Sequence, residues 1–180
     1  MRTAIAGRSR QWSPGSKMPE FTRPATWEDV RAVIRYLTEA GVHFALVGGY
    51  AIAAHGLVRF SEDVDILVDP SPENARKWIA ALGRLPDGAA LELQGEEDIF
   101  EKQGPYAVRI NDEFTVDVLP AACGHSWTEL QPFIEEIVVD GEPMRVLNLE
   151  GLLLTKEGMR DRDKADRRLI EQALIHLQKP

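Results

Sequence analysis

The sequence predicts an α+β domain, a mixed sheet flanked by helices and followed by C-terminal helices. Three observations predict it. Segments with helical periodicity alternate with short apolar runs, a Gly48-Gly49 pair joins one such run to an Ala-rich segment, and turn-forming residues divide the second half into hairpins. Residues 26–180 carry no internal repeat and read as a single domain.

Taken in order, Thr26 before Trp27-Glu28-Asp29 is an N-cap with early acids, and Val30, Val33, Ile34 and Leu37 then share one helical face until Gly41. His43-Phe44-Ala45-Leu46-Val47 is a short strand-like run, and residues 50–55 after the glycine pair are helix-prone up to Gly56. Residues 63–68 form a strand ending at Asp69-Pro70, where proline would remove a ladder hydrogen bond. Ser71 caps a helix with Pro72 in its first position, and Ala75, Trp78, Ile79 and Leu82 keep helical spacing until Gly83. The acidic stretch 84–105 offers one short strand, around residues 91–93.

Residues 106–110 and 114–119 are strand-like on either side of Asn111-Asp112-Glu113, which suits a hairpin. Residues 137–139 and 144–147 flank Asp140-Gly141 in the same manner. Asn148 caps a helix carrying Leu149, Leu152 and Leu153, and a final helix covers residues 163–177.

Hydrophobic residues make up 44% and charged residues 28%, the balance of a water-soluble globular protein. No apolar run approaches the roughly 18 residues of a spanning helix, so no membrane partner is expected. Residues 1–25 hold Arg2, Arg8, Arg10, Lys17 and Arg23 against Glu20 alone and read as a disordered basic tail. Because the whole chain is at −8, the body behind that tail is strongly acidic, and stable binding of duplex DNA is not expected of it. Cys123 is the single cysteine, which excludes an intrachain disulfide and suits the cytoplasm.

Aspartate is depleted from strands, yet Asp63 and Asp65 stand two apart in one and so project from the same face. Asp117 lies among Phe114, Val116, Val118 and Leu119; if its strand neighbours the first, a third carboxylate joins the pair. Three clustered carboxylates repel one another, and hard divalent cations with all-oxygen ligands remove that penalty. Spacing alone leaves this reading level with a plainer one, in which Asp63 caps a strand end, Asp65 faces solvent and Asp117 is one more surface acid. Gly48-Gly49, between strand and helix, would let backbone N–H groups approach phosphates, and a simple tight turn explains the pair equally well. The two features in this order are less common than either alone.

In these residues the chain resembles the nucleotidyltransferase superfamily with the DNA polymerase β-like fold, where a glycine turn precedes an Asp-x-Asp strand and a third acid follows. Val47-Gly48-Gly49-Tyr50-Ala51, His55-Gly56, Arg59, Ser61 and Asp63-Val64-Asp65 are similar to small bacterial minimal and toxin-like (AbiEii-like) members. Those commonly carry Thr where Ser61 stands, and the hydroxyl is kept. The likeness runs on through residues 114–119 to Glu150, Leu153, Lys156, Arg160, Asp163 and Asp166.

The resemblance implies a metal-dependent nucleotidyltransferase. Asp63, Asp65 and Asp117 would be its catalytic residues and hold two Mg²⁺ or Mn²⁺ ions, with Asp117 helping to deprotonate the acceptor. Gly48 and Gly49 would hold the triphosphate of an NTP such as ATP, with Ser61, Arg59 and Lys156 beside the nucleotide. The acceptor would be an RNA 3′ end, a protein or a small molecule, and the toxin-like likeness brings a cognate antitoxin or regulator as a partner. The alternative is a non-catalytic nucleotide- or partner-binding module of the same fold.

Plainer roles stand beside these. Lys156 lies on the apolar stripe of its helix and suits a phosphate contact or an ion pair at the stripe's edge equally. Arg59 also fits a surface loop, His55 a packed helix end, Tyr50 a base platform or core, and Asp163 and Asp166 ion pairs or solvent. Cys123-Gly124-His125 has too few ligands for zinc and reads as a loop.

Overall fold

The computed structural model describes residues 4–6, 22–158 and 160–177. Most of the basic tail, with Arg2, Arg8, Arg10, Lys17 and Glu20, lies outside the described residues. Within it the structure departs from expectation: Ala4–Ala6 forms strand β1, paired in parallel with residues 108–110. Three residues at a sheet edge need only backbone hydrogen bonds to pair, so a basic and turn-rich surrounding sequence does not exclude them. Arg23 is also tied down, by ion pairs to Asp29 at 2.6 Å and Glu113 at 3.4 Å.

Helix α1 (Trp27–Glu39) starts at a complete capping box, in which the Thr26 hydroxyl accepts from the Asp29 N–H and the Asp29 carboxylate accepts from the Thr26 N–H. Its buried face is Val30, Val33, Ile34 and Leu37, the periodic set read from sequence. Strand β2 (Phe44–Val47) is buried at every position and runs straight into α2 (Gly48–Ala54). Strand β3 (Val64–Val68) follows, then α3 (Pro72–Leu82), capped by the Ser71 hydroxyl. Asp63 therefore sits at the entrance of β3 rather than within it.

The expected strand at residues 91–93 is instead a 3₁₀ turn, Ala89–Leu93, followed by helix α4 (Ile99–Gln103). Gly88, at φ 63°, turns the chain left-handed immediately before it, and the buried Asp112 carboxylate accepts from the Asp87 and Ala89 N–H groups. These contacts fasten the segment in a coil of tight turns rather than in a ladder. From α4, Phe100 packs 6.1 Å from the fully buried Trp78 ring of α3.

Strands β4 (Val108–Asn111) and β5 (Thr115–Leu119) make the expected hairpin, with Asn111 opposite Thr115. A small hairpin, β6 (Ala121–Ala122) and β7 (His125–Ser126), then leads into α5 (Trp127–Leu130). Strands β8 (Ile134–Val139) and β9 (Glu142–Leu147) turn through Asp140 at φ 51° and Gly141 at φ 83°. That is the Asp-Gly hairpin turn the sequence announces. Helices α6 (Leu149–Leu154) and α7 (Asp161–Leu177) close the chain.

Seven strands form one mixed sheet in the order β1-β4-β5-β3-β2-β9-β8. β3 runs parallel to β5 and antiparallel to β2, while β5 runs antiparallel to β4. The acids meet because of this order. Strands β3 and β5, far apart in sequence, are hydrogen-bonded neighbours at its centre. Among the described residues no helix is long and apolar enough to cross a membrane.

Candidate active site

Across the middle of the sheet runs a row of register partners. Val47 pairs with Asp65, Asp65 with Asp117, and Asp117 with Arg109. Side chains opposite one another in a sheet project from the same face, so both carboxylates and the guanidinium stand side by side. Asp63, two residues before Asp65, joins them on that face.

Asp65 is half-buried at the foot of a cleft. Burial, then the Asp117 charge, push its carboxyl up to about 7, against the pull of Lys156. Asp63 is displaced upward for the same two reasons, more weakly. Gly48 fits this arrangement uniquely well. Its φ of 70° disfavours any side chain, and a Cβ there would overlap the Asp65 carboxyl, with Cγ only 2.7 Å away. At Gly49 a Cβ would stand 2.7 Å from the Ser61 Cβ and 2.9 Å from its Oγ. The two glycines thus let the turn lie directly against Asp65 and Ser61. Helix α2 also lacks the side-chain cap that Thr26, Ser71 and Asn148 give to α1, α3 and α6.

Arg109 is the cation that faces these acids. Its Nε donates to Asp117 Oδ1 at 2.9 Å and an Nη to Oδ2 at 2.8 Å, a two-pronged fork, and the same Nη lies 3.6 Å from Asp63. The signal was present in the hairpin, since a turn centred near Glu113 sets Arg109 opposite Asp117.

The remaining expected contacts divide. Ser61 lies against Gly49, and its hydroxyl donates to the Asp63 carbonyl at 3.1 Å. Arg59 also approaches Gly49, but its fork is turned to Asp166, with Nε 2.6 Å from Oδ1, instead of into the cleft. Lys156 lies 3.0 Å from Asp166 and 3.7 Å from Asp163 while lining the cleft, so the ion-pair and cleft-facing roles coexist. Burial disfavours the Asp166 carboxylate, yet hydrogen bonds from Arg59 and Lys156 outweigh it and hold that carboxyl below its ordinary range. His55 Nε2 donates to the Leu147 carbonyl, 2.8 Å away, and Tyr50 is core, its hydroxyl donating to the Ala25 carbonyl and its ring edge-on to Trp27. Cys123 and Gly124 form the β6–β7 turn, and His125 Nε2 lies 3.2 Å from Glu157.

The cleft over the acids has a volume of about 760 Å³. Its lining combines the charged Asp65, Asp117, Arg109, Lys156, Arg160 and Asp163 with apolar residues such as Leu119 and Ala122. The three carboxylates are the right donors for hard divalent cations, and the upward displacement of Asp65 and Asp63 marks a site short of positive charge. Among the described residues, no three His, Cys, Asp or Glu side chains yet close around a common point.

The sequence model described as nucleotidyl transferase AbiEii toxin, type IV TA system, matches residues 34–156, about two thirds of the chain. The chain belongs to this nucleotidyltransferase family. Solved structures share the fold. The antibiotic-resistance factor ANT(2″)-Ia in complex with adenylyl-2″-tobramycin aligns at a TM-score of 0.52 and 16% identity over 81% of this chain and 87% of the other. The lincosamide adenylyltransferase LnuA, lincomycin-bound, aligns at 0.52 and 12% identity over 82% and 98%. Comparison with curated proteins gave no match.

A substitution tests the close approach of turn and acid in this AbiEii-family site. Gly48→Ala is expected to destabilise the protein by about 2–3 kcal/mol, combining an unfavourable left-handed residue with the overlap on Asp65. Shortening the acid should relieve only the overlap, so Gly48→Ala with Asp65→Ala should recover part of the loss in denaturant titrations. Additive losses in the double variant would contradict the packing described.

Proposed function

We propose that this nucleotidyltransferase moves a nucleoside monophosphate from an NTP to a hydroxyl or phosphate acceptor, in a reaction dependent on Mg²⁺ or Mn²⁺. The reading rests on one observation: Asp65 and Asp117 are register partners on one sheet face, with the side-chain-free Gly48 turn packed directly on Asp65. Triphosphate oxygens would be met by the uncapped amides of α2 and the Ser61 hydroxyl, and Lys156, which lines the cleft, would neutralise charge. Asp63, Asp65 and Asp117 would hold two divalent ions. When bound, these neutralise the phosphates and the charge developing on the attacking and leaving oxygens.

The acceptor oxygen attacks the α-phosphorus, a new P–O bond forms as the bond to pyrophosphate breaks, and Asp117 takes the acceptor proton. Since the family's description is that of a type IV toxin, we assign the activity to a toxin restrained by a cognate antitoxin, acting in the cytoplasm on RNA, protein or a small molecule.

The test is incubation of the full chain with each α-labelled NTP, Mg²⁺ or Mn²⁺ and fractionated RNA, protein and small-molecule pools. Label should move to one pool with pyrophosphate release. NTP binding with neither product would instead support a non-catalytic module, and free phosphate without label transfer a hydrolase.

A further inference from the structure

We propose that Arg109 is an internal counterion, standing in the acidic site of the resting protein and obliged to leave Asp117 before divalent ions are held there. The inference rests on the metal-dependent reading above and adds a competitor to it.

Two arginine–aspartate forks stand in this region, only one of them lining the cleft, and they differ. Arg59 on Asp166 is enclosed, with side chains 16% and 4% exposed, and is locked further by Lys156. Arg109 on Asp117 is 43% exposed and lines the open cleft, so its guanidinium can turn away without unpacking the core. It engages both oxygens of Asp117 and reaches toward Asp63, two of the three carboxylates an ion would need. A positive charge held there repels an incoming cation and occupies its donors at once. This explains why three co-facial carboxylates do not yet close around a common point. It also explains why an unpaired acidic face does not unfold the sheet: Arg109 supplies the missing charge until metal and nucleotide arrive.

The linkage is arithmetic. If the Arg109-bound form accounts for nine molecules in ten, the apparent affinity for metal is about tenfold below that of the released form.

Mn²⁺ binding to the full chain without nucleotide, followed by the loss of the free-ion paramagnetic signal, tests this independently of activity. Arg109→Gln should bind Mn²⁺ about tenfold or more tightly than wild type. Its melting temperature should fall in chelator and rise further than that of wild type on adding Mn²⁺. Arg109→Lys, which keeps the charge but not the fork, should lie between them and serves if the Gln variant does not fold. Arg84→Gln, at a surface pair with Glu39 away from the site, should leave the affinity unchanged. Equal or weaker Mn²⁺ binding by both Arg109 variants, with wild type binding, overturns the inference alone. A wild type and variants that are folded yet bind no Mn²⁺ overturn the metal reading together with it.

Discussion

Replacing Asp65 with Asn is expected to reduce nucleotidyl transfer by about a thousandfold or more and, in the same protein, to raise the stability of the metal-free state at neutral pH. The first effect follows from the position of Asp65 between the glycine turn and Asp117. Metal-held charge stabilisation contributes several kcal/mol to a transition state, and about 4 kcal/mol is a thousandfold in rate. The second effect has the opposite sign because the folded state strains this carboxyl. Its ordinary value is 3.8, and burial followed by the Asp117 charge pushes it up to about 7. Between those values the folded chain holds a proton that the unfolded chain has released, so stability falls as pH rises from about 4 to about 7. Above that window the full cost of the ionised group is present. Asn carries no such cost. Melting in chelator at pH 5 and pH 8 should therefore separate wild type from Asp65→Asn mainly at pH 8. A variant that loses activity and is also less stable than wild type at pH 8 would show that the carboxylate is a structural support rather than a strained functional group.

Much of this arrangement was legible in the sequence, and what escaped notice did so for identifiable physical reasons. Asp63 and Asp65 could be placed on one face by strand periodicity alone, although Asp63 proves to stand just outside β3. Asp117 could be recognised as anomalous among apolar neighbours, but its pairing with Asp65 is a property of strand order, which sequence separation conceals. Arg109 is recoverable only from the hairpin register, which sets it opposite Asp117; no local motif marks it. The pairing of Arg59 with Asp166 is hidden in the sequence because the two lie 107 residues apart on different elements. The stretch at 84–105 failed differently. Its turns are fixed by the Asp112 carboxylate and by packing onto Trp78, so local propensity had little to report. Capped helices and the Asp-Gly turn of β8–β9 were clear because their determinants lie within a few residues of one another.

Asp166 to Ala should give the largest stability loss among the charged residues around the cleft. The carboxylate is 4% exposed and accepts from Arg59 at 2.6 Å and Lys156 at 3.0 Å, whose side chains are only 16% and 11% exposed. Removing it leaves two enclosed cations with only Asp163, 3.7 Å from Lys156, to offset them. Breaking a buried pair in this way costs about 3 kcal/mol, and for a chain of this size each kcal/mol lowers the melting temperature by roughly 2–4 °C. Asp166→Asn should lose less, since its amide oxygen still accepts one hydrogen bond. The pH dependence carries the opposite sign to that of Asp65. Hydrogen bonds from Arg59 and Lys156 hold the Asp166 carboxyl below its ordinary 3.8, so its contribution is complete above that value and lost as pH falls through the lower folded-state one. The gap between wild type and variant should therefore be full at pH 7 and shrink in strong acid. Function is coupled to this pair through geometry. Arg59 borders Gly49 and Lys156 lines the cleft, so freeing both should raise the KM for NTP more than it lowers kcat. Lys156→Ala in the Asp166→Ala background should then cost less stability than in wild type, because the nearer of its two acids is already gone and only Asp163, at 3.7 Å, remains. A full additional loss in that double variant would mean that Lys156 is held by contacts other than Asp166, and the cluster would not be the strut joining α7 to the glycine turn.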